Sequence, residues 1–349
     1  LKQGKTISQL AAEIERQQKA KRDFIADTRE VSILAADDGI KLRIGDEGFA
    51  IRETAHRQIG LKTGIPAKYY DRMASTDPEL LAVNVNTWLA REPERRMIRT
   101  LDGSARAFLT DRYQRIDNEH IAEVVLPILA ETPGIKIASA EITETKLYIK
   151  AVNERVRAEV KVGDPVEAGV MITNSEIGLG AVSIAPLVNR LVCTNGMVVA
   201  DQKYRRSHVG RRADSTEDVY QMLSDEALRA DDRAILLKVR DIVKAALDEA
   251  RFALTVEKMR RAAESVKMAD PLRTVELISE RMSLQESEKP SILRHLIQGG
   301  DLTKWGMLNA VTRAAHDVES YDRSTELEMI GGKVLELDAS EWARLAVAA

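Results

Sequence analysis

The feature that most constrains this chain is a change of texture near Ala213: before it, short β-rich runs alternate with turn-forming pairs, and beyond it those runs vanish. Between residues 31 and 52, VSILAADDGIKLRIGDEGFAIR carries β-rich runs punctuated by Asp-Gly and Glu-Gly, the marks of antiparallel hairpins. RRMIRTLDGSARAFLTDRY sets Asp102-Gly103 between two such runs, and that pair supplies the positive φ angles of a type I′ turn. GIKIASAEIT and KLYIKAVN add strands, and EAGVMITNSEIGLGAVSIA reads as two more around a glycine-containing loop.

Helices interrupt this series. GIPAKYYDRMA places Pro66 at a first helical turn, and Ser75, Thr76 or Asp77 caps a helix that opens at Pro78. DNEHIAEVVLPILAE predicts another, with a kink at Pro127. Residues 215–285 repeat apolar side chains at helical spacing without a clean heptad, and SILRHLIQGGDLTKWGMLNAVTRAAHDV reads as two helices broken at Gly299-Gly300 and anchored by Trp305. At the other end, residues 6–28 predict one helix with Ile7, Leu10, Ala11 and Ile14 on a shared face and basic Lys19–Arg22 behind it. The expected architecture is α+β, a mainly antiparallel sheet with packed helices followed by a helical C-terminal region. Its divisions are an N-terminal helical arm (1–30), an α+β core that binds nucleic acid (31–213) and the helical region (214–349).

One stretch is open to two readings. In IAPLVNRLVCTNGMVV, Asn195-Gly196 between apolar runs is a hairpin signal. Pro186 and Gly196 also fall where a short helix would begin and end, and Leu187, Val188, Leu191 and Val192 would then share a face, whereas strand alternation buries Asn189 with Leu191 or Arg190 with Val192. The helix ending at Asn195-Gly196 is the favoured reading.

Composition narrows the chemistry. The 349 residues support a sizeable core and have no apolar run of membrane-spanning length, and the opening LKQGKTISQLAAEIERQQKAKRDF lacks the apolar segment of a secretory signal. A single cysteine excludes an internal disulfide framework and suits a reducing cytoplasm, the expected location. On the helix reading Cys193 lies near a negative helix end that opposes thiolate formation, so it reads as a small core side chain and not as a nucleophile. His56, His120, His208, His295 and His316 show no metal-ligand spacing, Gly178-Leu179-Gly180 matches only half a dinucleotide fingerprint, and no Walker-type GxxxxGK[ST] occurs. No catalytic residue, metal or cofactor is expected on these grounds.

A net charge of −3 rules out a whole-molecule basic field, so any nucleic-acid contact must come from a local patch. The most one-sided stretch is DQKYRRSHVGRR, where Lys203, Arg205, Arg206, Arg211 and Arg212 face the single acid Asp201 and Tyr204 and His208 are interleaved. Guanidinium groups grip phosphates while a ring stacks on an unpaired base, a composition suited to single strands. The alternative is a solvated loop or a sheet edge protected by charge. A second cluster carries Arg95, Arg96, Arg99, Arg106, Arg112, Tyr113 and Arg115, and if its strands neighbour the first stretch the two patches form one groove.

ITNSEIGLGAVSIAPLVNRLVCTNGMVV with the following RRSHVGRR resembles the phage- and plasmid-like family described as domain of unknown function 932, and GIPAKYYDRM, AFLTDRYQRIDN and KWGMLNAVTRAA extend the resemblance over about residues 40 to 345. That family is remotely similar to Rad-type single-strand annealing proteins, which form rings with DNA in a basic groove. The resemblance implies a mobile-element protein of DNA recombination or replication that binds single-stranded DNA, or RNA, promotes strand annealing and forms a homo-oligomer, with a ring as one form. Arg205, Arg206, Arg211 and Arg212 would grip phosphates and Tyr204 would stack, with Arg112, Tyr113 and Arg115 as a second set. Two rivals remain open: a metal-assisted nucleic-acid enzyme, and a structural or host-interaction protein that binds a partner through its helical C-terminal half.

Overall fold

A computed structural model describes residues 1–36, 39–180, 182–193, 195–199, 204–206, 225–246 and 248–347; for 204–206, 225–229 and 231–232 it describes the backbone. The described residues form two six-stranded sheets and a set of helices that ends the chain.

Helix α1 (Ile7–Ala20) opens with a capping box between Thr6 and Gln9 and buries Leu10 and Ile14. It stops at Ala20. The single helix expected over 6–28 is therefore corrected: Lys21–Asp27 is strand β1, paired antiparallel along its length with β5 (Arg95–Leu101). The pairing outweighs the helical spacing because it satisfies the backbone and brings Lys21 and Asp23 to ion-pair partners. Strands β2 (Val31–Ala36), β3 (Gly39–Ile44) and β4 (Glu47–Ile51) form the expected meander. Strand β6 (Ser104–Thr110) returns from β5 through Asp102 and Gly103, both at positive φ (52° and 71°), as a type I′ turn requires. The first sheet runs β1-β5-β6-β4-β3-β2, and β4–β6 is its parallel pair.

Helices α2 (Glu53–Lys62), α3 (Ala67–Thr76) and α4 (Pro78–Arg91) bury Ile59, Tyr70, Met73, Leu81, Val85 and Leu89 against Ile33, Leu42, Ile98 and Phe108 of this sheet. Pro66 caps α3 just outside its first turn, and Asp77 is the residue that caps α4, accepting the Leu80 N–H at 3.0 Å.

The second sheet is built from β7 (Ile135–Ile142), β8 (Leu147–Glu159), β9 (Pro165–Asn174), β10 (Val182–Arg190), β11 (Asn195–Val198) and β12 (Tyr204–Arg206), all antiparallel. Helix α5 (Asn118–Glu131), which accommodates Pro127, packs with α1 and α6 (Asp225–Ala246) around Leu147, Ile149, Val170, Ile172, Val182 and Ile184. Helices α7 (Glu249–Ala263), α8 (Pro271–Met282), α9 (Lys289–Gly299), α10 (Lys304–Ala314), α11 (Tyr321–Glu336) and α12 (Ala339–Val347) share a core with Val166, Val188 and Met197 of the same sheet. Gly300 ends α9 at φ 63°, and Trp305 is buried as the anchor of α10. The chain is thus mixed strands and helices followed by a run of helices, as its texture predicts.

The helix favoured over 186–195 is overturned. Val182–Arg190 is a strand, and residues 191–193 form a turn, so Asn195-Gly196 occupies β11 and not the turn. Alternation misled because β10 is covered on both faces: Val182 and Ile184 meet α5 and α6, while Ala185 and Leu187 meet Met329 of α11. The polar residues at its end are paired, Arg190 to Asp164 at 2.6 and 2.9 Å and Asn189 to Glu167 at 3.2 Å. Pro186 is tolerated because its missing N–H falls between the two segments of β10 that pair β11 (187–190) and β12 (182–184). Gly196 packs against Leu1, whose side-chain tip a Cβ at this position would meet.

Candidate nucleic-acid interface and the buried polar junction

Of the first basic stretch, Tyr204, Arg205 and Arg206 form β12, in register with Ile184, Ser183 and Val182. Lys203, His208, Arg211 and Arg212 lie outside the described residues. The backbone of Tyr204–Arg206 is thus docked on the beginning of β10, which follows the 175–180 connection from β9.

The second cluster divides. Arg112 and Arg115 are exposed in the segment between β6 and α5, and Arg115 reaches Asp23 at 3.5 Å. Tyr113 is half-buried and donates its hydroxyl to Ser175 O at 3.0 Å, and burial pushes its phenol pKa up. The loop bearing these residues is therefore tied to the same 175–180 connection that leads into β10. Between them lies a cavity of about 420 Å³ lined by Lys62, Arg96, Phe108, Tyr113, Gly178 and Gly180 among others, with no carboxylate in its wall among the described residues. Lys62 and Arg96 both bond Glu94 behind it. Gly178 sits at φ 80°, and a Cβ there would overlap Leu109 of β6.

Arg99 and Arg106 point inward instead, and sequence reasoning missed their task. Arg99 is fully buried and donates to Asp23 Oδ1 at 3.0 Å, Glu176 O at 3.0 Å and Asp117 Oδ1 at 2.7 Å. Lys21 bonds the other Asp117 oxygen at 2.7 Å. Burial opposes the charge on Asp117, but the Arg99 guanidinium and the Lys21 hydrogen bond outweigh it and hold the carboxyl well below its ordinary range. Arg106 Nη2 donates to Glu176 Oε2 at 2.7 Å, and Glu176 Oε1 accepts the Asn118 N–H at 2.7 Å, so Glu176 satisfies the first turn of α5. Asn174 donates to Ile116 O and Asn118 Oδ1, both at 2.9 Å. The Asn174-Ser175-Glu176 motif is thus the joint between the two sheets, where two buried arginines and Lys21 meet three carboxylates. The one hint in the sequence was an acid among β-rich residues just before a glycine pair.

Cys193 occupies the turn between β10 and β11, partly exposed, with its Sγ 3.4 Å from Arg190 Nη1 and its carbonyl accepting from Arg313. His56 pairs with Tyr70 and His295 with Asp317, and among the described residues no group of three or more His, Cys, Asp or Glu is arranged to hold a metal. No described helix is long and apolar enough to cross a membrane.

Comparison with curated proteins and with solved structures gives no match. Residues 107–330, well over half of the chain and including the Asn174–Glu176 motif, α5, β7 to β12 and the helices from α6 into α11, match the family described as Domain of unknown function (DUF932), and the chain belongs to that family.

Proposed function

We propose that this protein binds single-stranded nucleic acid, DNA in the first instance, through arginines that converge on the 175–182 connection, and that assembled copies promote strand annealing in the recombination or replication of a mobile element. The observation that carries the reading is the docking of β12 on Val182–Ile184 next to a connection that also holds the Arg112–Arg115 loop through Tyr113 and Ser175. Two basic segments about ninety residues apart in sequence are thereby drawn toward one edge. Annealing of the kind carried out by Rad-type proteins requires backbone neutralisation with bases left free to pair, and no covalent step. A nearly neutral chain gains such a path by repetition, so the binding form is a homo-oligomer, with a ring as one arrangement.

Fluorescence anisotropy with a labelled single-stranded oligonucleotide, its RNA counterpart and the duplex, run beside light scattering with and without the oligonucleotide, tests this. The reading expects single strands to bind more tightly than the duplex and an oligomeric mass. Absence of binding to any of them, or magnesium-dependent loss of the oligonucleotide, overturns it, the latter in favour of a nucleic-acid enzyme.

A further inference from the structure

A second cavity, of about 220 Å³, opens beside the sheet joint between α1, the β5–β6 turn, the start of α5 and the 142–146 turn. Its wall holds Arg16, Arg52, Arg106 and Lys146 together with Glu13, Asp102, Glu144 and Glu176. The acids are unequally engaged. Arg16 bonds both Glu13 and Asp102, and Glu176 is held by Arg106 Nη2 and the Asn118 N–H. What remains is two cations with no hydrogen-bonded acid among the described residues, the side chains of Arg52 and Lys146, against Glu144 alone.

Arg106 adds an independent sign. Its residue is 6% exposed, yet its buried Nε has no hydrogen-bond partner among the described residues. A buried guanidinium with an unmet donor costs free energy unless an acceptor arrives. The space is below the range of about 300–1,000 Å³ typical of pockets for drug-sized organic ligands, which suits a small anion with its waters.

We propose that this cavity binds a phosphate-type oxyanion, held by Arg52, Arg106 and Lys146. The planar Arg106 fork supplies directional donors, Lys146 a point charge, and Arg52, at the N-cap of α2, a second guanidinium. The same chemistry fits free phosphate and the terminal phosphate of a strand. Its three cations lie outside the interface proposed above, although Glu176 and Ile177 of the same connection line its wall, and the site does not depend on that interface.

The test is isothermal titration with inorganic phosphate and with pyrophosphate, and separately with a short oligonucleotide carrying or lacking a 5′-phosphate. Arg52→Ala and Lys146→Ala are the variants of choice, since neither side chain is bonded to a structural partner among the described residues and both proteins should melt as the parent does. Each is expected to weaken binding roughly tenfold, the loss of one charge-assisted contact. Heat with inorganic phosphate assigns a free anion, and binding that requires the 5′-phosphate assigns a strand end. No phosphate-dependent binding in any arm, or binding unchanged in both variants, overturns the proposal. Wild-type single-strand binding in the quadruple arginine variant described below, with phosphate heat retained, would fail the functional reading and leave this site intact.

Discussion

Lys150 on β8 and Glu328 on α11 form an ion pair at 2.7 Å in which the two side chains are 0% and 1% exposed, and it joins the second sheet to the C-terminal helices. Lys150 also donates to Thr325 at 2.9 Å and lies 4.8 Å from the ring centroid of Tyr321. Removing one partner strands the other charge in a dry site. Lys150→Met is therefore expected to cost about 3–5 kcal/mol, and Lys150→Met with Glu328→Leu to regain most of it. Urea denaturation of the two variants checks this, and a single variant within about 0.5 kcal/mol of the parent would contradict it.

Acid stability should depend on Asp117. Its folded pKa is held below the ordinary value, so the unfolded chain takes up its proton first as pH falls. The stabilisation is present above about pH 4 and is lost progressively as pH drops below that toward the folded pKa. Asp117→Asn should lower stability at neutral pH and flatten the acid limb of a stability-against-pH curve. A parallel curve for the variant would show that the Arg99–Asp117–Lys21 network contributes nothing through charge.

Two helical glycines should respond in opposite ways to alanine. An added Cβ at Gly306 would overlap the backbone carbonyl of Asp301, which cannot swing away, whereas at Gly299 it would meet nothing within 4 Å. Gly306→Ala is expected to lose about 1–3 kcal/mol and Gly299→Ala to be neutral or gain up to about 1 kcal/mol. Thermal melts of the pair distinguish the packing account from a general helix-propensity effect.

What was legible in the sequence was local. The Asp102-Gly103 turn, the meander over 31–52, the Asp77 cap and the glycine break after α9 depend on residues within a few positions of one another, and the chain shows them directly. The 182–198 hairpin was misread because its burial on both faces comes from α5, α6 and α11, which lie far off in sequence, and without alternation a buried strand and a helix look alike. The inward turn of Arg99 and Arg106 was invisible for the same reason. Their partners Asp23, Asp117 and Glu176 come from three separate segments, so an arginine count recorded surface charge where the fold places internal ion pairs. β12 fell within a stretch read first for its charge and interleaved rings, with a charge-protected sheet edge only as the alternative.

Cys193→Ser should leave nucleic-acid binding within a few-fold of the parent. The thiol sits in a turn with Arg190 Nη1 3.4 Å from Sγ, and a hydroxyl accepts from that donor as well. Abolished binding in a folded variant, judged by circular dichroism, would make the thiol functional.

The central claim is that the segment docked through β12 carries phosphate contacts, and the salt dependence of binding tests it most directly. In Arg205→Ala/Arg206→Ala/Arg211→Ala/Arg212→Ala, single-strand affinity should fall for every sequence. The slope of log affinity against log salt should flatten by roughly 0.7 per lost phosphate contact, with oligomer mass and helix content unchanged. Wild-type affinity with a wild-type slope would contradict the account and leave this stretch as a charged edge of the sheet.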